Sequence, residues 1–262
     1  METRRNRRSR LVVIASPVVG AAIILAFWGR LPQDPEYHRF ADTRAWDGIP
    51  NAADVLSNAV FAAAGGLGLA FLASARGRRR VPDSRIRNAY FLFFAGVFLT
   101  AFGSAYYHWA PDNGRLFWDR LPMTLAFTSL FAEVLGERVD SRLGNRLLVP
   151  LLVLGAASVL YWRWTEAAGR GDLRPYAVVQ YGLIASLALL LLLFPDPHSR
   201  GLGAVAVAYV LAKAFELLDA PIFRLTGTIS GHTLKHVAAG VAAGLVLAAL
   251  IRRRPTEGGS NE

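Results

Sequence analysis

Three histidines, one aspartate and one serine account for most of the chemistry this sequence can do. They stand in two patches: Ser104-Ala105-Tyr106-Tyr107-His108 with Trp118-Asp119-Arg120, and, far along the chain, His232-Thr233-Leu234-Lys235-His236. Residues four apart in a helix share a face. His232 and His236 can therefore aim two imidazoles at one point, and Ser104 shares a face with His108. Such a pair suits zinc, which takes each imidazole nitrogen at about 2.0–2.1 Å, and His108 is the third ligand. Three protein ligands leave the fourth position to water, the arrangement of catalytic rather than structural zinc sites. Zinc brings the pKa of such a water down to about 7. Asp119 is a candidate to take its proton, and Ser104 a candidate donor to a developing oxyanion. The chain has no cysteine, so histidine and carboxylate must hold any metal and no disulfide can form. Each residue also has a plainer role open to it. Asp119 could cap a helix or pair with Arg120, and Ser104 could bond its own helix backbone.

Long apolar segments must position these residues. The apolar residues fall in blocks at 11–29, 53–74, 89–109, 119–135, 146–163, 176–194, 202–218 and 233–251. Each is close to the roughly 20 residues that cross a bilayer as a helix. They are too long for strands and lack alternation of period two. The sequence therefore predicts an all-α, polytopic membrane helix bundle of eight spans. A net charge of +10 could suggest nucleic acid, but the placement of the arginines argues against it. With the N-terminus inside, eighteen arginines fall in inner segments and nine in outer ones. That asymmetry places both termini on the cytoplasmic side. The first span follows an arginine-rich start without a small-residue cleavage site, so it reads as a retained anchor. On this topology His108, Asp119, His232 and His236 all lie near the outer interface, at one depth. Ionisable groups are costly there unless they pair or function.

The remaining polar features have simpler readings. Segment 30–52, with Pro32, Pro35 and Pro50, is a non-helical outer connection. Tyr106, Tyr107, Trp109 and Trp118 most simply form an interfacial aromatic belt, with the lining of a substrate entry as the alternative, and His38 and His198 are interfacial or capping residues. Gly65, Gly66, Gly68, Gly240 and Gly244 allow close helix packing. Lys213, Glu216 and Asp219 are spaced by three on one face of the seventh span, with Lys213 and Glu216 read first as a structural pair and second as a substrate-headgroup contact.

The run Ser104, His108, Asp119, Leu121-Pro122-Met123, then His232 and His236, with Val55-Leu56-Ser57-Asn58 in the second span, resembles the alkaline ceramidase family. That family belongs to a superfamily of seven-helix membrane hydrolases that also includes the adiponectin-receptor-like proteins. The resemblance covers about residues 46–251. It divides the chain into a basic segment and extra span (1–30), a seven-helix ceramidase-like domain (31–251) and a disordered tail (252–262). It implies an amidase that cuts the N-acyl bond of ceramide or a ceramide-like lipid drawn from the bilayer. His108, His232 and His236 would hold Zn2+, Asp119 would activate the water and relay a proton to the leaving amine, and Ser104 would serve the oxyanion. The family's calcium-binding acidic segment is not matched: here the chain reads Trp46-Asp47-Gly48-Ile49-Pro50-Asn51. Asp42, Asp47, Asn51 and Asp54 offer few charges for an ion that takes six to eight oxygens, so turn chemistry is the preferred reading. A receptor-like or structural protein that keeps its zinc without turnover is the alternative. The composition has a bacterial look, which places the protein in an inner membrane; no oligomeric state follows from it.

Overall fold

The computed structural model describes residues 4–194 and 201–253. His198 and the polar tail expected to be disordered, apart from its first two residues, lie outside them. Among the described residues the architecture is all-α, with one isolated bridge between Trp46 and Ile49. Eight long helical segments build the bundle: α1 (Arg4–Phe27), α2 (Ala52–Ala73), α3 (Ser84–Trp109), α4 (Asn113–Arg138), α5 (Ser141–Ala167), α6 (Arg174–Leu193), α7 (Gly201–Leu217) and α8 (Gly231–Arg252).

By length and apolarity five of these, α2, α3, α5, α6 and α8, can each cross a membrane. A sixth span follows if α7 is taken with the short helix Asp219–Thr226, bent 77° from it. The expected count of eight therefore needs qualification. The apolar stretch of α1, Leu11–Phe27, is short for a span. α4 is long enough but carries Asp119, Arg120 and Glu133, all buried inside the bundle rather than facing lipid.

Local sequence explains where the helices begin. Asp83, Asp112 and Asp140 each precede a helix, and their carboxylates accept from the backbone N–H groups of Arg85 (2.8 Å), Arg115 (2.7 Å) and Arg142 (2.8 Å). These are the free donors of a first turn, which aspartate satisfies well. Ser230 does the same for α8, accepting from Thr233 N–H at 3.0 Å. Glycine then sets how closely helices approach. A Cβ on Gly103 would stand 2.0 Å from the Trp118 carbonyl oxygen, and one on Gly96 would stand 2.7 Å from the Ala126 nitrogen. α3 and α4 therefore touch backbone to backbone. Pro122 contributes, because it has no N–H for the Trp118 carbonyl four residues earlier; that carbonyl faces Gly103. Of the glycines expected to pack, Gly65, Gly68 and Gly240 have no room for a side chain, whereas Gly244 faces open space.

α1 lies at the edge of the bundle, chiefly against α6. A clamp ties its end there: Arg174 donates to the carbonyls of Leu25 (3.1 Å) and Trp28 (2.7 Å) and pairs with Asp172 at 2.8 Å. Burial raises the Asp172 carboxyl, but hydrogen bonds from Arg174 and Tyr161 outweigh it and hold the pKa at about 2. A pKa below the unfolded value of about 3.9 means that this stabilisation is present above pH 4 and lost as pH falls through about 2. Thermal melts in detergent should therefore drop more steeply between about pH 4 and 2 for the wild type than for Asp172→Asn. At the bundle end remote from the histidines, Arg253 joins α8 to α3 and α4: it pairs with Glu137 and donates to the Tyr90 hydroxyl at 2.7 Å.

Candidate metal centre

His108, from the last turns of α3, meets His232 and His236 from the first turns of α8, and all three are buried. One nitrogen from each lies within 4.8 Å of the others. The Nε2 atoms of His108 and His232 are 3.3 Å apart. Two ligands on a tetrahedral zinc with bonds of about 2.0–2.1 Å stand about 3.3–3.4 Å apart, so the His108–His232 pair fits such an ion, with His236 close by.

The surrounding groups orient the rings. Ser57 donates its proton to the Asp54 carbonyl at 3.0 Å, which leaves its oxygen to accept from His236 Nδ1 at 2.8 Å. This fixes the tautomer and frees His236 Nε2 for a metal, the usual division of labour in a ligating histidine. Ser57 belongs to the Val55–Asn58 stretch noted in the sequence without a role. Ser57→Ala should weaken metal binding by about 10–100-fold while the fold persists, measured by competition with a calibrated chelator. Asp54 helps to place α8, accepting from the Thr233 hydroxyl at 2.7 Å. The His108 ring is held by aromatic neighbours, with Phe40 at 4.6 Å and Tyr107 at 4.9 Å between centroids.

Segment 30–51 closes the site from its own end of the bundle. Phe40 packs on His232 as well as His108, both at 4.6 Å. The Ala41 N–H donates to Asp219 at 2.9 Å, and Asn51 donates to the His108 carbonyl at 2.8 Å. Several expectations change here. His38 is not a simple interfacial residue, because its two ring nitrogens contact Tyr107 Oη (2.9 Å) and Asn113 Oδ1 (3.0 Å). Tyr107 leaves the aromatic belt for the core, whereas Tyr106, Trp109 and Trp118 are about half exposed, as a belt requires. Arg120 is not a surface partner of Asp119. It is buried among the rings of Trp162 (4.5 Å), Tyr176 (4.9 Å) and Tyr37 (5.4 Å), and donates to Gln33 at 2.7 Å. It thereby pins segment 30–51 to α4, a cation–π arrangement that no local sequence pattern announces.

Of the residues considered for calcium, Asp42 and Asn51 have other partners. Asp42 is gripped by Arg44 through Nε (2.8 Å) and a terminal nitrogen (2.7 Å), which lowers its pKa. Arg44 also reaches the Thr228 carbonyl at 2.7 Å, so its fixed charge stands where a cation would have to compete. Asn51 is engaged as described, one oxygen of Asp54 accepts from Thr233 while the other is buried without a hydrogen-bond partner, and Asp47 sits in a tight turn at φ 48°.

Ser104 and Asp119 come together across the Gly103 contact, and both line a cavity of about 270 Å3. One end carries Ser104, Asp119, Lys235 and His236; the far end reaches Leu130 and Leu202. From Asp119 to Leu130 along α4 is about 16 Å at about 1.5 Å per residue. Nearly all of the wall is apolar. α6 and α7 touch little, and Val210, which lines the cavity, is 65% exposed. The cavity therefore opens sideways, between two helices.

Lys213 and Glu216 pair as expected, and Glu216 also takes Lys235 at 2.9 Å. Asp219 does not share their helix face, since α7 ends at Leu217; it accepts from the backbone of Ala41 and His232 instead. Comparison with models of known protein families and with characterised proteins finds no match.

Proposed function

We propose that this protein is a zinc-dependent intramembrane amidase. It would hydrolyse the N-acyl bond of ceramide or a ceramide-like lipid to a fatty acid and a sphingoid base or other amine. The observation that carries this reading is the apolar cavity that ends on Ser104, Asp119 and His236 and opens towards the side of the bundle. A long alkyl chain fits along its wall, with the amide at the polar end. His108, His232 and His236 would hold zinc, which would supply a Lewis acid and acidify a water at that point. Asp119 takes the proton of the attacking water and passes it to the leaving nitrogen. Ser104 donates to the carbonyl oxygen as charge develops on it. Phe40 and the segment around it keep bulk water from the histidines, which strengthens each of these interactions. The carbonyl carbon gains hydroxyl, the C–N bond breaks and the nitrogen gains hydrogen. Asp119 and Ser104 beside the ligands favour an enzyme over a receptor-like or structural site, which needs neither. The distribution of arginines along the chain favours a site towards the outer face of a bacterial inner membrane.

The test is release of fatty acid from N-acyl sphingoid lipids by purified protein in detergent. Turnover that stops with a zinc chelator and returns with zinc supports the reading. Bound zinc without turnover on any N-acyl lipid favours the structural alternative.

A further inference from the structure

The cavity has a second polar group besides the histidines. Gln180 and Tyr209 face it with Lys213, and together they bring α6 and α7 to one patch of its wall. Gln180 sits in a π-helical turn, Val178–Gly182, inside α6. Such turns cost backbone hydrogen bonding and recur at functional sites. Lys213 uses one of its three N–H donors on Glu216. The buried Tyr209 hydroxyl lies beside the Gln180 amide without completing a hydrogen bond of normal geometry. Glu216, the one carboxylate bonded to Lys213, is divided between two ammonium groups, Lys213 and Lys235. Lys213 therefore keeps two N–H donors, and Tyr209 its hydroxyl, beyond the pairing with Glu216. The patch is also close to the metal centre: Lys235, which takes the other oxygen of Glu216, approaches His232 Nε2 at 3.5 Å.

We propose that Lys213, with Tyr209 and Gln180, binds an anionic headgroup, so that the preferred substrate is an N-acylated lipid bearing a carboxylate or a phosphate near the amide. This rests on the amidase reading and narrows it. A neutral hydroxyl can accept from these donors, but an anion takes charge-assisted hydrogen bonds from Lys213 and Tyr209, roughly twice as strong. Lys213 is a specificity-determining residue, and no step of hydrolysis passes through it.

The experiment compares three lipids with the same acyl chain: an N-acyl amino acid, an N-acyl ethanolamine phosphate and a neutral N-acyl ethanolamine. The expected kcat/KM for at least one anionic lipid exceeds that for the neutral lipid by about tenfold or more, as one charged hydrogen bond allows. The two anionic arms separate carboxylate from phosphate. In Lys213→Met this ratio collapses towards one, mainly through KM, and Lys213→Arg restores it. Tyr209→Phe, which removes a hydroxyl with no complete bond to lose, lowers the ratio by a smaller factor. A parallel arm needs no turnover: displacement of a fluorescent alkyl probe by a long-chain fatty acid and by the matching fatty alcohol. Tighter binding of the acid, weakened in Lys213→Met, supports the headgroup site even if no amide is cut. Equal binding of acid and alcohol, or a neutral lipid preferred by the wild type, overturns it.

Discussion

His236→Ala protein, purified in detergent, should retain less than about a tenth of the metal bound by the wild type and lose amide hydrolysis by at least about a thousandfold. Among the described residues three imidazoles form the group that could hold a metal here, and removal of His236 leaves two from different helices. His236 is also the histidine whose orientation is best defined, through Ser57 at 2.8 Å. The bundle should survive, because apolar packing of α2, α3, α4 and α8 extends well away from the histidines. Metal analysis with size-exclusion profiles and thermal melts separates the possibilities. A folded, metal-free, inactive protein is the expected result. Full metal retention would show that His236 is no ligand, and unfolding on metal loss would favour a structural role.

Asp119→Asn should keep its metal and lose about a thousandfold in kcat, within the range general acid–base groups contribute. The amide has the shape of the carboxyl and can still meet Ser104, so the α3–α4 contact built on Gly103 and Gly96 should hold. What it lacks is a lone pair basic enough to accept the water's proton. Metal content measured beside the rate distinguishes this from a packing defect. Near wild-type kcat in the Asp119→Asn protein would remove Asp119 from the mechanism.

Much of the metal centre was legible in the chain. The spacing of His232 and His236 puts them on one face of any helix, and the long apolar runs made helix the only economical structure. Alternation of spans then predicted that His108 and Asp119 would lie at the same end of the bundle as that pair, and they do. These are consequences of period and length, which sequence carries directly. The edges of the reading failed where the deciding partner was distant in the chain. Tyr107 looked like its belt neighbours Tyr106 and Trp109 but turns inward to His38 and Phe40. Arg120 looked like a partner for the adjacent Asp119 but enters a cage of rings from three other segments. Asp219 continued the spacing of Lys213 and Glu216, yet the helix ends first.

The sequence by itself determined the helical membrane character, the candidate ligands and their common end of the bundle, because those depend on local periodicity and on residue chemistry. Only the tertiary structure decided that one imidazole from α3 stands 3.3 Å from another on α8. It alone showed that Ser57 orients His236, that segment 30–51 seals the centre, and that a sideways-opening apolar cavity leads to it. Such contacts are set by how closely helices approach. That approach depends on matching surfaces far apart in the chain, such as Gly103 against the carbonyl of Trp118.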